Sequence, residues 1–211
     1  MRRILLIGMV VVVAGCKPAV APEVLREYQA RSLVTCCNIH YETADISDAN
    51  YFVGTTIPPG TPVKVQAMAS DSVTFTADGK KLTLSHKYGA GQESLQQYVN
   101  KVLVADDSKV RLASFPRSVQ QVIHEGRVER GMTREQVIMS LGYPPTHRTA
   151  STTGNEWTYW YNRWVSYKVQ FDDRGVVSNV VGRPAPTQDQ PIQPDPTPVP
   201  RRPPVGAKKH K

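Results

Sequence analysis

Residues 131–145 read GMTREQVIMSLGYPP, a stretch that carries every local instruction for one short helix. Thr133 stands at the N-cap with Gln136 three places on, the spacing of a capping box. Met132 and Val137 occupy the two positions of a hydrophobic staple. Val137, Ile138 and Leu141 are expected to face a core. Gly142 falls where a left-handed C-cap is needed, and Pro144 blocks continuation. Each signal contributes about 0.5–1 kcal/mol to a helix too short to persist alone. The conspicuous residues make caps and a core stripe, so the stretch reads as a structural cassette rather than a catalytic site.

Working outward, residues 117–125 form a shorter helix, with Val119, Val122 and Ile123 inward and Gly126 at its end. After the cassette come three strands. EWTYWY (156–161) puts Trp157, Tyr159 and Tyr161 on one face and Trp160 on the other, because strand side chains alternate. WVSYKVQF (164–171) alternates likewise, DDRG (172–175) is a turn, and VVSNVV (176–181) ends the sheet. Helix, helix and three consecutive strands predict an α+β unit over 113–182: two helices packed on a three-stranded antiparallel sheet.

A small β-rich domain is expected before it, over 36–90. YFVGTT (51–56) is a strand candidate, and IPPG (57–60) is a turn. TPVKVQA (61–67) alternates, with Val63, Val65 and Ala67 on one face. Residues 72–86, SVTFTADGKKLTLSH, form a hairpin around Asp78-Gly79. Short strands with a PPGTPVKV segment resemble bacterial SH3-like barrels. Over 91–112 the period changes: Leu95, Tyr98, Val99, Val102 and Leu103 mark an amphipathic helix, and DDS (106–108) breaks it.

The N-terminus reads MRRILLIGMVVVVAGCKP: two arginines, then an 11-residue apolar run. A membrane span needs about 20 residues, so 1–15 reads as a secretory signal. VAGC (13–16) resembles the lipobox of bacterial lipoproteins. That resemblance implies cleavage between Gly15 and Cys16 and a diacylglycerol on the Cys16 thiol. Several acyl chains anchor stably, at about 0.8 kcal/mol per buried CH₂. An ordinary signal that happens to contain a cysteine is the plainer alternative. Lys17, not Asp, implies the outer membrane by the sorting rule of many Gram-negative lipoproteins. Residues 16–35 would be a tether, helical from about 23 to 33.

The formal charge is +8, and loss of Arg2 and Arg3 with the signal leaves +6. The segment 183–211 holds nine prolines and six cations against Asp189 and Asp195, a net +4. It is expected to be extended and disordered, either suited to anionic lipid or polymer rather than to nucleic acid, or a solvated linker without a fixed partner. With Cys16 acylated, only the adjacent Cys36 and Cys37 remain for an oxidising compartment. They could form a vicinal disulfide, bridge to another chain, or stay buried as thiols. No Cys-x-x-Cys spacing suggests a redox enzyme.

GRVERGMTREQVIMSLGYPP, then EWTYWY, YKVQFDDRG and VV, resemble the SmpA/OmlA outer-membrane lipoprotein family over about 119–182. The resemblance implies a non-enzymatic protein on the periplasmic face of the outer membrane. It implies a partner in or beside the β-barrel assembly machinery. The β-rich domain, the helix that follows it and the Pro-rich tail depart from the simplest members.

Nothing in the sequence assembles a catalyst. His40, His86, His124, His147 and His210 are isolated, without metal-ligand spacing. Pairing of His40 with Cys36 or Cys37 has no supporting motif. No phosphate loop, nucleophile elbow or carboxylate pair is present, and no cofactor or metal is expected. The aromatic run is the best binding candidate: Trp157, Tyr159, Trp160 and Trp164, with Trp160 and Trp164 favoured for the exposed side. Two roles compete: a scaffold subunit in outer-membrane protein assembly or envelope integrity, and an envelope tether that binds peptidoglycan through the β-rich domain or the tail.

Overall fold

The computed structural model describes residues 20–86 and 92–184. The signal segment with Gly15, Cys16 and Lys17, and the tail beyond Pro184, lie outside the described residues. The chain opens with α1 (Pro22–Ala30), with Pro22 in its first turn. Tyr28 is buried, and its hydroxyl donates to Asn100 Oδ1 at 2.7 Å. The region expected to be a tether is therefore tied into the fold from residue 22 onward.

Strands β1 (Leu33–Thr35), β2 (Ile39–Tyr41), β3 (Asp45–Ser47), β4 (Thr55–Ile57), β5 (Pro62–Met68), β6 (Ser72–Ala77) and β7 (Lys80–Ser85) follow. Then come α2 (Leu95–Val102), β8 (Leu103–Val104) and α3 (Ser108–Ala113). Six strands make one sheet in the order β3-β7-β6-β5-β1-β8, with β3 parallel to β7 and the other pairs antiparallel. Strands β2 and β4 form a separate two-stranded ribbon. The β6–β7 hairpin turns at Asp78 and Gly79, both at positive φ, as a primed turn requires.

Three local expectations are corrected. Residues 51–54 are not strand: Val53 N donates to Tyr51 O at 2.8 Å, closing a tight turn, and pairing begins only at Thr55. In β5 a register shift after Val65 turns Ala67 outward and brings Met68 into the core. Finally, 106–113 is not a plain break. Asp107 accepts from Val110 N and caps α3, so the expected breaker itself starts a helix.

The C-terminal unit contains α4 (Arg117–His124), α5 (Arg134–Leu141), β9 (Glu156–Trp160), β10 (Ser166–Phe171) and β11 (Val177–Val181). The strands form an antiparallel meander, β11-β10-β9. Thr133 and Gln136 close the expected capping box. One core gathers Ile123, Met132, Val137, Leu141, Trp157, Val169 and Phe171 from helices and sheet. A second core, built around Val73, Phe75, Val99 and Leu103, fills the β-rich region.

Candidate partner-binding surface and the domain junction

Strand alternation sorts the aromatic run. Trp157 and Tyr159 pair with Val169 and Tyr167, and all four are buried, Trp157 completely. Trp157 packs 4.5 Å from the Phe171 ring, and the Tyr159 hydroxyl donates to Gly142 O at 3.0 Å. Both side chains are packed into the core of the C-terminal unit. Tyr161, expected on their face, is only half-buried, against Phe52.

The opposite face carries Trp160 with Ser166, and Thr158 with Lys168 and Val181. Trp160 is half-buried, with the Arg148 guanidinium 5.6 Å from its ring centre. Trp164 stands at the tip of the β9–β10 hairpin, 83% exposed. Asn162 fixes that tip: its Oδ1 accepts from the backbone N–H groups of Trp164 and Val165, both at 2.9 Å. Val181, also exposed, lies on the same face as Trp160. The surface is thus a pinned aromatic tip with Arg148 and Arg163 beside it. Trp164 is the most exposed of the large hydrophobic side chains among the described residues.

A second arrangement joins the two cores. The last turn of a helix leaves carbonyls without intrahelical partners. Here the β-rich half supplies them. Asn38 N donates to Met139 O at 3.0 Å. Asn38 Nδ2 donates to Ser140 O at 3.0 Å and to Ile123 O at 2.6 Å, reaching α5 and α4 together. Asn50 Nδ2 donates to Leu141 O at 2.9 Å and to Asn38 O at 3.0 Å. The C-cap Gly142 N closes back onto Ile138 O at 2.7 Å. Helix α5 is consequently buried on two sides. Met139 and Ser140 are buried along with Val137 and Leu141, while Ile138, expected inward, is only half-buried.

Arg183 closes the far side of the junction. It donates to Gly126 O at 3.1 Å, and its guanidinium lies 5.2 Å from the Phe52 ring centre and 5.5 Å from that of Tyr167. His40 is buried beside them, edge-on to Phe52. Burial, aided by the Arg183 charge, pushes its imidazole down to about 4, so it is neutral at pH 7.

Cys36 and Cys37 are joined to each other by a disulfide. His40 Nδ1 lies 3.0 Å from Thr56 Oγ1, and both cysteine sulfurs are taken up in their own disulfide. His86 is engaged at both nitrogens, by Asp48 Oδ2 at 2.8 Å and Glu93 O at 2.6 Å. Among the described residues no cluster of His, Cys, Asp or Glu could hold a metal ion. Between the two cores runs an open groove of about 350 Å³, lined by Cys36, Lys101, Arg111, Ile138, Met139 and Trp157 among others. The bridging role of Asn38 and Asn50 has no sequence signal, because an asparagine in a loop more often caps its own turn.

Comparison with known families places a match on the C-terminal unit. Residues 126–181 match the model of the outer membrane protein assembly factor BamE domain, which belongs to the SmpA/OmlA family. No curated protein and no solved structure matches the chain.

Proposed function

With the BamE-type segment over 126–181 as premise, we propose that this chain is a periplasmic, lipid-anchored subunit acting in outer-membrane protein assembly, by binding rather than by catalysis. That match is the observation that carries the reading. Cys16 would bear the lipid after cleavage at Gly15, placing the protein on the periplasmic face of the outer membrane. The partner is an envelope protein of the β-barrel assembly machinery. The contact is the hairpin tip with Trp164, extended by Trp160. Asn162 already holds the tip, so docking orders little extra backbone.

The experiment is an affinity pull-down of the lipidated protein from crosslinked membranes, read by mass spectrometry, with Trp164→Ala and Trp160→Ala in parallel. Trp164→Ala removes an exposed side chain and should leave the unfolding midpoint unchanged. Recovery of assembly subunits by the wild type, lost in Trp164→Ala, supports the reading. Recovery of only wall-associated proteins or muropeptides replaces it with the tether, in which the β-rich domain or the basic tail binds peptidoglycan. Cys16→Ala should release the protein from membranes; retention would remove the lipid anchor.

A further inference from the structure

The two adjacent cysteines sit at a corner of the chain. Strand β1 belongs to the six-stranded sheet, and β2 to the ribbon beside the C-terminal unit. Cys36 and Cys37 lie between them. The backbone is held on both sides of the pair, by different halves of the molecule. Cys36 N donates to Val102 O at 2.9 Å, at the end of α2. Two residues on, Asn38 N donates to Met139 O in α5, and its side chain holds α5 and α4 together. A disulfide between neighbours closes a small ring that includes the intervening peptide. That ring therefore restricts the backbone between the Cys36 bond to Val102 and the bonds that Asn38 makes across the junction to α4 and α5.

The two cysteines differ in exposure. Cys36 is half-buried and lines the open groove, whereas Cys37 is 1% exposed beside Asn38. A soluble thiol can therefore reach the bond only from the Cys36 side.

We propose that the Cys36–Cys37 disulfide is a redox-sensitive lock on the domain junction, opened by a dithiol reductant through Cys36, so that Asn38 loosens its hold on α4 and α5. A reductant thiolate attacks Cys36 Sγ, forms a mixed disulfide there and expels Cys37 as thiolate, which takes up a proton. The second thiol of the reductant then attacks the mixed disulfide, closing its own disulfide and releasing Cys36. Two electrons and two protons pass to the protein, and the dithiol leaves oxidised. With the ring open, the peptide between the cysteines regains torsional freedom, and the amide of Asn38 is no longer held in line with Met139 O. The inference rests on the junction alone and is independent of what the hairpin tip binds.

The test uses the mature full chain with Cys16→Ser, purified under oxidising conditions. Hydrogen exchange is read by mass spectrometry before and after dithiothreitol, with thiols counted by alkylation. We expect no free thiol before reduction and two after. Exchange over 36–40 and at the last turns of α4 and α5 should rise about tenfold, equivalent to about 1.4 kcal/mol. The strands β9, β10 and β11 should be unchanged, and reoxidation should restore protection. Three results overturn the proposal: free thiols in the oxidised preparation, a bond that dithiothreitol opens only in denaturant, or full reduction with unaltered exchange. Cys36→Ser/Cys37→Ser should reproduce the reduced pattern. If that variant does not fold, the reversible reduction of the native chain still decides.

Discussion

Asn38 bears on the stability of this molecule more than any aromatic at the hairpin tip. It is 1% exposed, and its carboxamide satisfies one carbonyl in each of two helices. Replacing it with alanine removes the donor to Ser140 O, while Ile123 O keeps Gly126 N, so Asn38→Ala should cost about 1–3 kcal/mol. Asn38→Asp should cost more, because a carboxylate accepts where a donor is needed. Urea denaturation measures both; an unshifted midpoint would mean that water or rearrangement replaces the bonds. His40 gives the junction a pH dependence. Its folded value of about 4 lies below the ordinary 6.5, so on acidification the unfolded chain takes up a proton first. The neutral imidazole's contribution is complete above pH 6.5 and is lost as pH falls toward 4, by about 3 kcal/mol at most. Burial also lowers His147, which adds to the same slope. The diagnostic is thus the difference between wild type and His40→Gln, whose melting temperature should vary less between pH 6.5 and 5.

Helix α5 shows what local sequence can and cannot state about an element. Its start was legible: a threonine and a glutamine three apart make the same two hydrogen bonds in any context. Its end was half legible. Gly142 does adopt positive φ, +79°, but its ψ of −176° is extended and not the left-handed helical cap expected. A methyl group there would also lie 2.7 Å from Asn50 Nδ2, the donor that caps Leu141 O. Gly142→Ala therefore combines backbone strain with displacement of a cap. It should lower stability by about 1–3 kcal/mol, measured by thermal unfolding. A control at Gly79, where an added methyl meets nothing within 4 Å, isolates the conformational share. Helix α3 was missed because an aspartate reads equally well as the end of one element and the N-cap of the next. The strand expected at 51–56 failed because apolar Tyr51, Phe52 and Val53 suggested pairing. Phe52 instead packs at the junction, against His40, Tyr161 and Arg183.

At the scale of the whole molecule, the BamE-type unit is joined to the half that precedes it by backbone and side-chain hydrogen bonds. Its two helices end on acceptors filled from residues 38 and 50. A chain reduced to residues 113–184 loses those donors while keeping its own core. We expect it to be less stable than residues 20–184 and to exchange faster at the last turn of α5, with the β9–β11 meander still protected. Circular dichroism melts and hydrogen exchange on the two fragments test this. Equal stability would mean that the junction adds nothing to the C-terminal unit. The joined arrangement also means that a partner seated on the hairpin tip engages a unit already held to the β-rich half.

The sequence by itself determined the elements whose causes lie within about ten residues. These are the cassette helix with its capping box, the Asp78-Gly79 hairpin, the amphipathic stripe of α2 and the three-strand meander. Capping, turn chemistry and side-chain period act over that range, so they can be read without knowing the fold. The tertiary structure alone decided which of the alternating aromatics became core, how α5 came to be buried on two sides, and that Cys36 and Cys37 sit beside Asn38, which bonds across the junction. Those outcomes depend on contacts such as Asn38 to Ser140, 102 residues apart along the chain. No local pattern encodes such a pairing: either carbonyl could be met by water until the two halves close on it.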